Sequence, residues 1–223
     1  MQPTQHAGSS PAPEAPHPDT CIAFLVRHGA TDNNVAHPPV LQGSRTDIDL
    51  SHTGRHEAAR VGSLLSRYPL AAVYSSPLRR AVQTAEQIAL PHSLLVQRVE
   101  LLREADIGRW EGMSWEEVAR TEPELLSRFQ EDSGRFGYPE GENMEQVLRR
   151  IAPEMDQLFS RHAGQYIAIV GHNVTHRVFV CSVLGLPLAK SRQITHANCG
   201  VSVVKYRAGR AHLITLNAGF HLD

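Results

Sequence analysis

The sequence is short of several features that mark special classes of protein. Its formal charge at pH 7 is only −1, with 22 basic and 23 acidic residues, which argues against a nucleic-acid partner or a polybasic membrane surface. It has three cysteines, far apart in the chain and without a C-x-x-C pair, so neither a disulfide framework nor a cysteine zinc site is expected. The longest apolar run, residues 178–189, is too short to span a bilayer.

Lysine is also scarce, because only Lys190 and Lys205 are lysines among the 22 basic residues. An arginine bias of this kind is typical of genome composition, so abundance alone does not single out any arginine. No basic segment followed by an apolar run opens the chain, and we therefore expect a cytoplasmic location. The share of hydrophobic residues, 41% of 223, is ordinary for a globular protein.

The chain divides into a short polar segment and one long domain. Residues 1–19 contain five prolines and little to bury, which predicts a disordered N-terminal tail or an extended arm. From residue 20 to 223, apolar runs of strand length alternate with amphipathic helical patterns. This alternation predicts a single α/β domain with a doubly wound, mostly parallel sheet and helices on both faces. The less regular residues 100–140 are expected to form an insertion over the active site.

Individual elements follow from the same patterns. Strands are predicted near residues 22–26, 71–74, 94–99, 166–170, 201–206 and 212–216. Helices are predicted near residues 51–68, 78–90, 143–161 and 173–184.

Polar residues directly follow four of the predicted strands. In open α/β sheets, ligands bind outside the carboxyl ends of the strands, so these residues are expected to lie together. They are Arg27-His28-Gly29 after the first strand, Ser76 with Arg79 and Arg80 after the second, Arg103-Glu104 after the third, and Gly171-His172-Asn173 after the fourth.

This set of side chains suits the chemistry of phosphate esters. Arginine holds phosphate oxygens with two parallel hydrogen bonds and stays charged at physiological pH. A neutral imidazole can attack phosphorus and form a phosphohistidine, while a glutamate can protonate the leaving oxygen. Gly29 would allow the backbone to approach the phosphate closely. The residues therefore predict phosphoryl transfer that needs no metal and no cofactor.

The motifs around these residues resemble those of the histidine phosphatase superfamily, also called phosphoglycerate mutase-like. Residues 27–34 read R-H-G-A-T-D-N-N, similar to the family signature R-H-G-x-T-x-x-N. The likeness continues in order over roughly residues 21–217, and it implies the phosphoglycerate mutase-like fold. Its further blocks are L-Q-G at 41–43, S-P-L-R-R-A at 76–81, L-R-E at 102–104 and G-H at 171–172.

The resemblance also implies a role for individual residues. Arg80 is preferred to Arg79 because the family pattern L-x-R-A fits residues 78–81 only in that way. The implied catalytic set is His28 as the phosphorylated nucleophile, Arg27 and Arg80 as phosphate clamps, His172 as a further phosphate-binding group, and Glu104 as the proton donor. The implied substrate-binding residues are Thr31, Asn34, Gln42, Gly43 and Asn173, the last standing where the family commonly has glycine.

The family contains both phosphatases and mutases, and the residues after Glu104 bear on the choice. Mutases typically carry E-R-x-Y-G there and a later arginine pair that holds the substrate carboxylate, whereas this chain reads E-A-D-I-G-R-W-E-G at 104–112. The sequence is thus interpreted as a phosphomonoester hydrolase that acts on small phosphorylated metabolites through a phosphohistidine, as a monomer or homodimer. The alternatives are a 2,3-bisphosphoglycerate-dependent phosphoglycerate mutase and a non-catalytic protein that binds phosphate ligands.

Two further patterns leave alternatives open. The aromatic residues between 110 and 138 fit either a lid over the substrate or the packing of the insertion onto the sheet. The pairs His52/His56 and His172/His176 have a spacing that could hold zinc on a helix face, but neither is part of H-E-x-x-H. Solvated or structural histidines are therefore favoured over a metal site.

Overall fold

The computed structural model describes residues 13–222, so the first twelve residues of the predicted tail lie outside the described part. The strands of this part are β1 (Thr20–Arg27), β2 (Leu70–Ser75), β3 (Val96–Arg98), β4 (Tyr166–Gly171), β5 (Val201–Arg207) and β6 (Arg210–Ala218). Its α-helices are α1 (Asp32–Val35), α2 (His52–Leu65), α3 (Arg79–Ala89), α4 (Trp115–Thr121), α5 (Pro123–Glu131), α6 (Ser133–Phe136), α7 (Met144–Arg161) and α8 (Asn173–Val183). Short 3-10 helices cover Leu90–His92, Glu100–Leu102, Gly108–Trp110 and Leu188–Gln193.

The strands form one sheet in the order β3-β2-β4-β1-β5-β6. The pairs β3–β2, β2–β4 and β4–β1 are parallel, whereas β5 pairs antiparallel with both β1 and β6. The predicted mostly parallel sheet is therefore confirmed. Because β1, β2 and β4 are parallel neighbours, their carboxyl ends meet at one edge.

Helices cover both faces of this sheet, which explains why the central strands are continuously apolar. Successive side chains of β1 point to opposite faces, so Leu25 and Val26 belong to different hydrophobic clusters. Leu25 packs in the cluster that contains residues of α7 and α8, and Val26 packs in the cluster of α2 and α3. Both faces of the central strands are thus closed to water, whereas the edge strand β6 exposes Ile214 and Leu216.

The ends of some elements differ from the sequence prediction. Strand β3 has only three residues, and α2 ends at Leu65 rather than near residue 68. The region predicted as irregular contains α4, α5 and α6. Helix α4 begins with a capping box between Ser114 and Glu117, and α5 begins at Pro123, both of which are ordinary helix starts.

The last residues of the predicted tail contact the domain. The Tyr166 hydroxyl donates a hydrogen bond to the Glu14 carbonyl oxygen at 2.9 Å, and Arg207 forms an ion pair with Asp19 at 2.8 Å. Within residues 13–222, every helix is too short or too polar to cross a bilayer.

Candidate active site

Side chains from three strand ends and one loop converge at the carboxyl edge of the sheet. His28 follows β1, Arg80 lies in the first turn of α3 after β2, and His172 follows β4; Glu104 comes from the loop after β3. Arg80 and His172 are fully buried, and His28 and Glu104 are 2% and 4% exposed. Together with Arg27, these residues are called the inner end of the site.

The hydrogen bonding of His28 fixes its tautomer. Its Nδ1 atom lies 2.7 Å from the Gly29 carbonyl oxygen. A carbonyl oxygen can only accept, so Nδ1 carries the proton and Nε2 keeps its lone pair. The imidazole thus has a free nucleophilic nitrogen.

The two arginines of the inner end are held by backbone carbonyls. Arg80 donates from Nη1 to the Thr46 oxygen at 2.5 Å and from Nη2 to the Gly43 oxygen at 3.0 Å. Arg27 donates from Nη1 to the His196 oxygen at 2.8 Å. These bonds fix the positions of both guanidinium groups without neutralising their charge.

His172 occupies the position before helix α8 and faces His28. The centroids of the two rings are 5.2 Å apart. The Nε2 atom of His172 lies 2.7 Å from the hydroxyl oxygen of Ser76, which follows β2. Neighbouring strand ends therefore orient this second imidazole.

Glu104 binds the amino end of helix α8. Its Oε2 atom accepts from the Val174 N–H at 3.1 Å, and its Oε1 atom accepts from the N–H groups of Ala105 at 2.9 Å and Thr175 at 3.3 Å. A carboxylate at a helix N-terminus is favourably placed relative to the helix dipole. The same contacts hold the carboxylate beside His172.

The inner end is positively charged but its histidines are neutral. Burial, with Arg80 next, holds the pKa of His28 and of His172 well below the ordinary value of 6.5. Burial lowers the pKa of Arg27 to about 10, so its guanidinium keeps its charge at neutral pH. The site therefore offers neutral imidazoles beside fixed cations.

Three buried nitrogens around His28 lack a hydrogen-bond partner within residues 13–222. They are the Nε atoms of Arg27 and Arg80 and the Nδ1 atom of His172. Buried polar atoms are rarely left unpaired because this costs free energy. Unpaired donor groups of this kind favour an acceptor, such as an anion, at the inner end of the site.

A cavity of about 280 Å³ opens from the inner end. Of the predicted substrate-binding residues, Asn34, Gln42 and Asn173 line it together with Arg27, His28 and Glu104, whereas Thr31 and Gly43 lie behind its wall. The Thr31 hydroxyl contacts Asn34 and Gln42 at 3.1 Å each. The Gly43 carbonyl is the acceptor for Arg80.

The structure shows a packing role for Gly29, beside the predicted approach of its backbone to phosphate. A Cβ atom added at Gly29 would lie 2.4 Å from the Gly54 carbonyl oxygen, and one at Gly54 would lie 1.9 Å from the Ala30 oxygen. Both glycines allow the loop after β1 to pack against the start of α2. This packing fixes the backbone that carries His28.

Nine residues outside the predicted catalytic and substrate-binding sets also line the cavity, and four of them have aromatic or charged side chains: Trp115, Tyr138, Arg177 and Arg192. These four are called the outer end of the site. Asn173 and Arg177 are four residues apart in α8, so helical spacing could have placed Arg177 on the same face. Arg192 had no such signal because it lies in a 3-10 helix that only the tertiary structure brings back to the cavity.

The aromatic residues of the insertion divide between the two roles left open. Trp115 and Tyr138 line the cavity. Trp110 and Phe129 are almost fully buried in the hydrophobic core, with ring centroids 5.3 Å apart. The insertion thus both packs on the sheet and forms a wall of the cavity.

The two histidine pairs differ in their surroundings. His52 and His56 are exposed and pack edge to face with ring centroids 4.6 Å apart. His176 is buried against His196, and burial lowers its pKa to about 3. In the part of the chain that the structure describes, no group of three or more His, Cys, Asp or Glu side chains is arranged to hold a metal ion.

Comparison with known proteins connects this geometry to a family. The model of the "Histidine phosphatase superfamily (branch 1)" matches residues 23–219. Phosphoserine phosphatase 1 of Hydrogenobacter thermophilus is 33% identical over 199 residues, which cover 89% of this chain and 93% of that protein. The probable phosphoglycerate mutase GpmB of Erwinia tasmaniensis is 29% identical over 184 residues, 82% of this chain and 84% of that one.

A solved structure shows the same likeness in three dimensions. The phosphoserine phosphatase of Entamoeba histolytica, solved with 3-phosphoglyceric acid, superposes with a TM-score of 0.80 at 26% identity. The match covers 91% of this chain and all of the other.

Proposed function

The chain belongs to the histidine phosphatase superfamily, branch 1, and we propose that it hydrolyses phosphomonoesters in two steps through a phosphorylated His28. It is a histidine-type phosphatase for small phosphorylated metabolites. The observation that carries the proposed mechanism is the imidazole of His28, neutral and with Nε2 unprotonated, beside the guanidinium groups of Arg27 and Arg80.

In the first step, Nε2 of His28 attacks the phosphorus atom of the bound ester. A nitrogen–phosphorus bond forms as the phosphorus–oxygen bond to the alcohol breaks, and Glu104 gives a proton to the departing oxygen. Arg27, Arg80 and His172 provide hydrogen-bond donors for the non-bridging oxygens, where negative charge is concentrated. The alcohol then leaves with its hydroxyl oxygen protonated.

In the second step, water attacks the phosphorus of phospho-His28. Glu104, now a carboxylate, takes a proton from this water while the nitrogen–phosphorus bond breaks. Inorganic phosphate is released and His28 returns to its neutral form. Glu104 therefore serves as acid and then as base, which its position at the cavity wall allows.

The cavity supports a substrate of metabolite size. Its volume of about 280 Å³ is below that of typical sites for drug-sized ligands. The relatives named as phosphoserine phosphatases agree with this scale. We further propose that residues 20–223 act as one domain with residues 100–140 as the insertion over the site; the cytoplasmic location and a monomeric or homodimeric state stay predictions.

Covalent labelling tests the mechanism. The protein is mixed with O-[³²P]phospho-L-serine and a metal chelator, and is quenched in alkaline detergent. We expect protein-bound label that is stable in base and lost in acid, as a phosphohistidine is, and no label in His28→Ala. The exposed His56 provides a matched control, since His56→Ala should be labelled like the wild type.

Two results would contradict the proposal. One is label of the same kind in His28→Ala, and the other is undiminished phosphate release by that variant. A coupled assay addresses the mutase alternative, because a phosphatase releases phosphate from 3-phosphoglycerate. Efficient conversion of 3- to 2-phosphoglycerate in the presence of 2,3-bisphosphoglycerate would assign the chain to the mutases instead.

A further inference from the structure

Two arginines at the outer end of the site lie apart from the catalytic residues but line the same cavity. Arg177 belongs to α8, and Arg192 to the 3-10 helix at Leu188–Gln193. The Nε atom of Arg177 donates to the Ser191 carbonyl oxygen at 2.9 Å. This bond ties the two elements together and brings both guanidinium groups to one wall.

Neither arginine has a carboxylate partner among the residues that the structure describes. Two arginines near the insertion do have such partners: Arg109 binds Glu122 at 2.7 Å, and Arg150 binds Glu142 at 2.8 Å. Arg177 is half-buried, where an unpaired charge is costly. A cation in such a place is typical of a site for an anion.

Aromatic rings hold Arg192 in position. Its Cζ atom lies 5.0 Å from the centroid of the Trp115 ring and 5.1 Å from that of Phe129. Stacking of this kind orients a guanidinium group while leaving its N–H groups free to donate. Arg192 is therefore fixed in place although it is exposed.

The guanidinium groups and the size of the cavity indicate what the second anion is. Arg177 and Arg192 line the cavity together with Arg27 and His28, and Glu104 is the one carboxylate among the described lining residues. Arg27 and Arg80, beside His28, account for the phosphate of the ester. Guanidinium groups bind both carboxylates and phosphates with two parallel hydrogen bonds, and in a cavity of about 280 Å³ the smaller carboxylate is the better fit next to that phosphate.

We propose that Arg177 and Arg192 bind a carboxylate on the alcohol part of the substrate, so that the substrate class is phosphorylated hydroxy acids and amino acids. This inference rests on the proposed function, because it concerns the other end of a substrate whose phosphate meets His28. The site differs from the arginine pair of the mutases, which the sequence after Glu104 lacks.

Matched substrates test the proposal. O-Phospho-L-serine and O-phosphoethanolamine differ only by the carboxylate, and in sn-glycerol 1-phosphate a hydroxymethyl group replaces the carboxylate of D-3-phosphoglycerate. We expect kcat/KM to be at least about tenfold higher for the carboxylate member of each pair. Arg177→Gln and Arg192→Gln should each lower that ratio about tenfold, chiefly by raising KM for the carboxylate substrate.

Arg128 provides the matched control. It is also exposed and its Cζ lies 4.7 Å from the centroid of the Phe136 ring, but it does not line the cavity. Arg128→Gln should leave the ratio as in the wild type. Because Arg177 also bonds to Ser191, its effect is checked with Arg177→Lys, which keeps the charge and should recover part of the preference.

The outcomes separate this inference from the proposed function. If p-nitrophenyl phosphate is hydrolysed and His28 is labelled, but the wild type does not prefer the carboxylate substrates, the carboxylate site is refuted alone. The same holds if Arg177→Gln and Arg192→Gln lower kcat/KM equally for both members of a pair. If His28 is never labelled and no ester is hydrolysed, the proposed function fails first.

Discussion

The inner and outer ends of the site share one cavity but are built in different ways. At the inner end, His28 and His172 directly follow parallel strands, and backbone groups hold Arg27, Arg80 and Glu104. At the outer end, the side chains come from α4, the loop before α7, α8 and a 3-10 helix, and Arg192 and Trp115 are exposed.

This difference separates chemistry from selectivity. The sheet fixes the inner end because strand ends cannot move without breaking the core on both faces. The outer end is formed by the insertion, α8 and the 3-10 helix at Leu188–Gln193. Contacts among these elements can change without disturbing the sheet. Changes at the inner end are therefore expected to reduce catalysis on every ester, and changes at the outer end to alter which ester is preferred.

The largest effect that separates the two ends is expected for Glu104→Gln. The glutamine cannot donate or accept the proton, so kcat on alkyl phosphates such as phosphoserine should fall about 10²–10⁴-fold. The loss should be smaller for p-nitrophenyl phosphate, whose leaving oxygen needs no proton. Steady-state kinetics on both esters measure this, and equal losses would remove Glu104 from the acid role.

A smaller effect is expected from neighbouring arginines of α3. Arg80 is fully buried at the inner end, while Arg79 is exposed and forms an ion pair with Asp49 at 2.6 Å. Arg80→Met should lower kcat/KM about 10²–10³-fold, because it removes a fixed donor for the transferred phosphoryl group. Arg79→Met serves as the control and should stay near the wild-type value, since exposed ion pairs contribute little.

Similar losses in Arg79→Met and Arg80→Met would contradict the separation of buried and exposed arginines. Thermal unfolding of both variants checks that the proteins remain folded at the assay temperature. If only Arg80→Met has a low Tm, both variants are assayed at a lower temperature, where both are folded.

The smallest expected effect is a shift along the pH axis. Burial and the charges of Arg80 and Arg27 hold the pKa of His28 well below 6.5. A lowered pKa keeps the imidazole neutral to lower pH, so the acid limb of kcat/KM should lie well below pH 6.5. Arg80→Met removes one positive charge, raises the pKa of His28 and should move that limb to higher pH.

Profiles of the wild type, Arg80→Met and Arg79→Met are compared with one substrate, so that the titration of the substrate is the same in each. His172, whose pKa burial also lowers, and His176 face the same region. Arg79→Met should superpose on the wild type. A wild-type limb at or above pH 6.5, or one unmoved in Arg80→Met, would show that His28 is not held neutral by its surroundings.

Much of the fold followed from local patterns. Helix α7 occurs where the periodicity of Val147, Ile151, Met155 and Leu158 predicts it, with Asn143 as its N-cap. The central strands are continuous apolar runs. Strand β3 was harder to delimit because it lies at the sheet edge with only β2 as a neighbour, so pairing rather than sequence decides its ends.

The sequence by itself placed the inner end at one edge of the sheet, because its residues follow parallel strands whose carboxyl ends meet. The choice of Arg80 and Glu104 among their neighbours came from the family motifs. The sequence could not determine the outer end. The hydrogen bond from Arg177 to the Ser191 carbonyl oxygen joins α8 to the 3-10 helix that carries Arg192. Arg192 is then positioned by stacking on Trp115 and Phe129. Those contacts depend on how the insertion, α8 and the 3-10 helix pack against one another, which local sequence patterns do not encode.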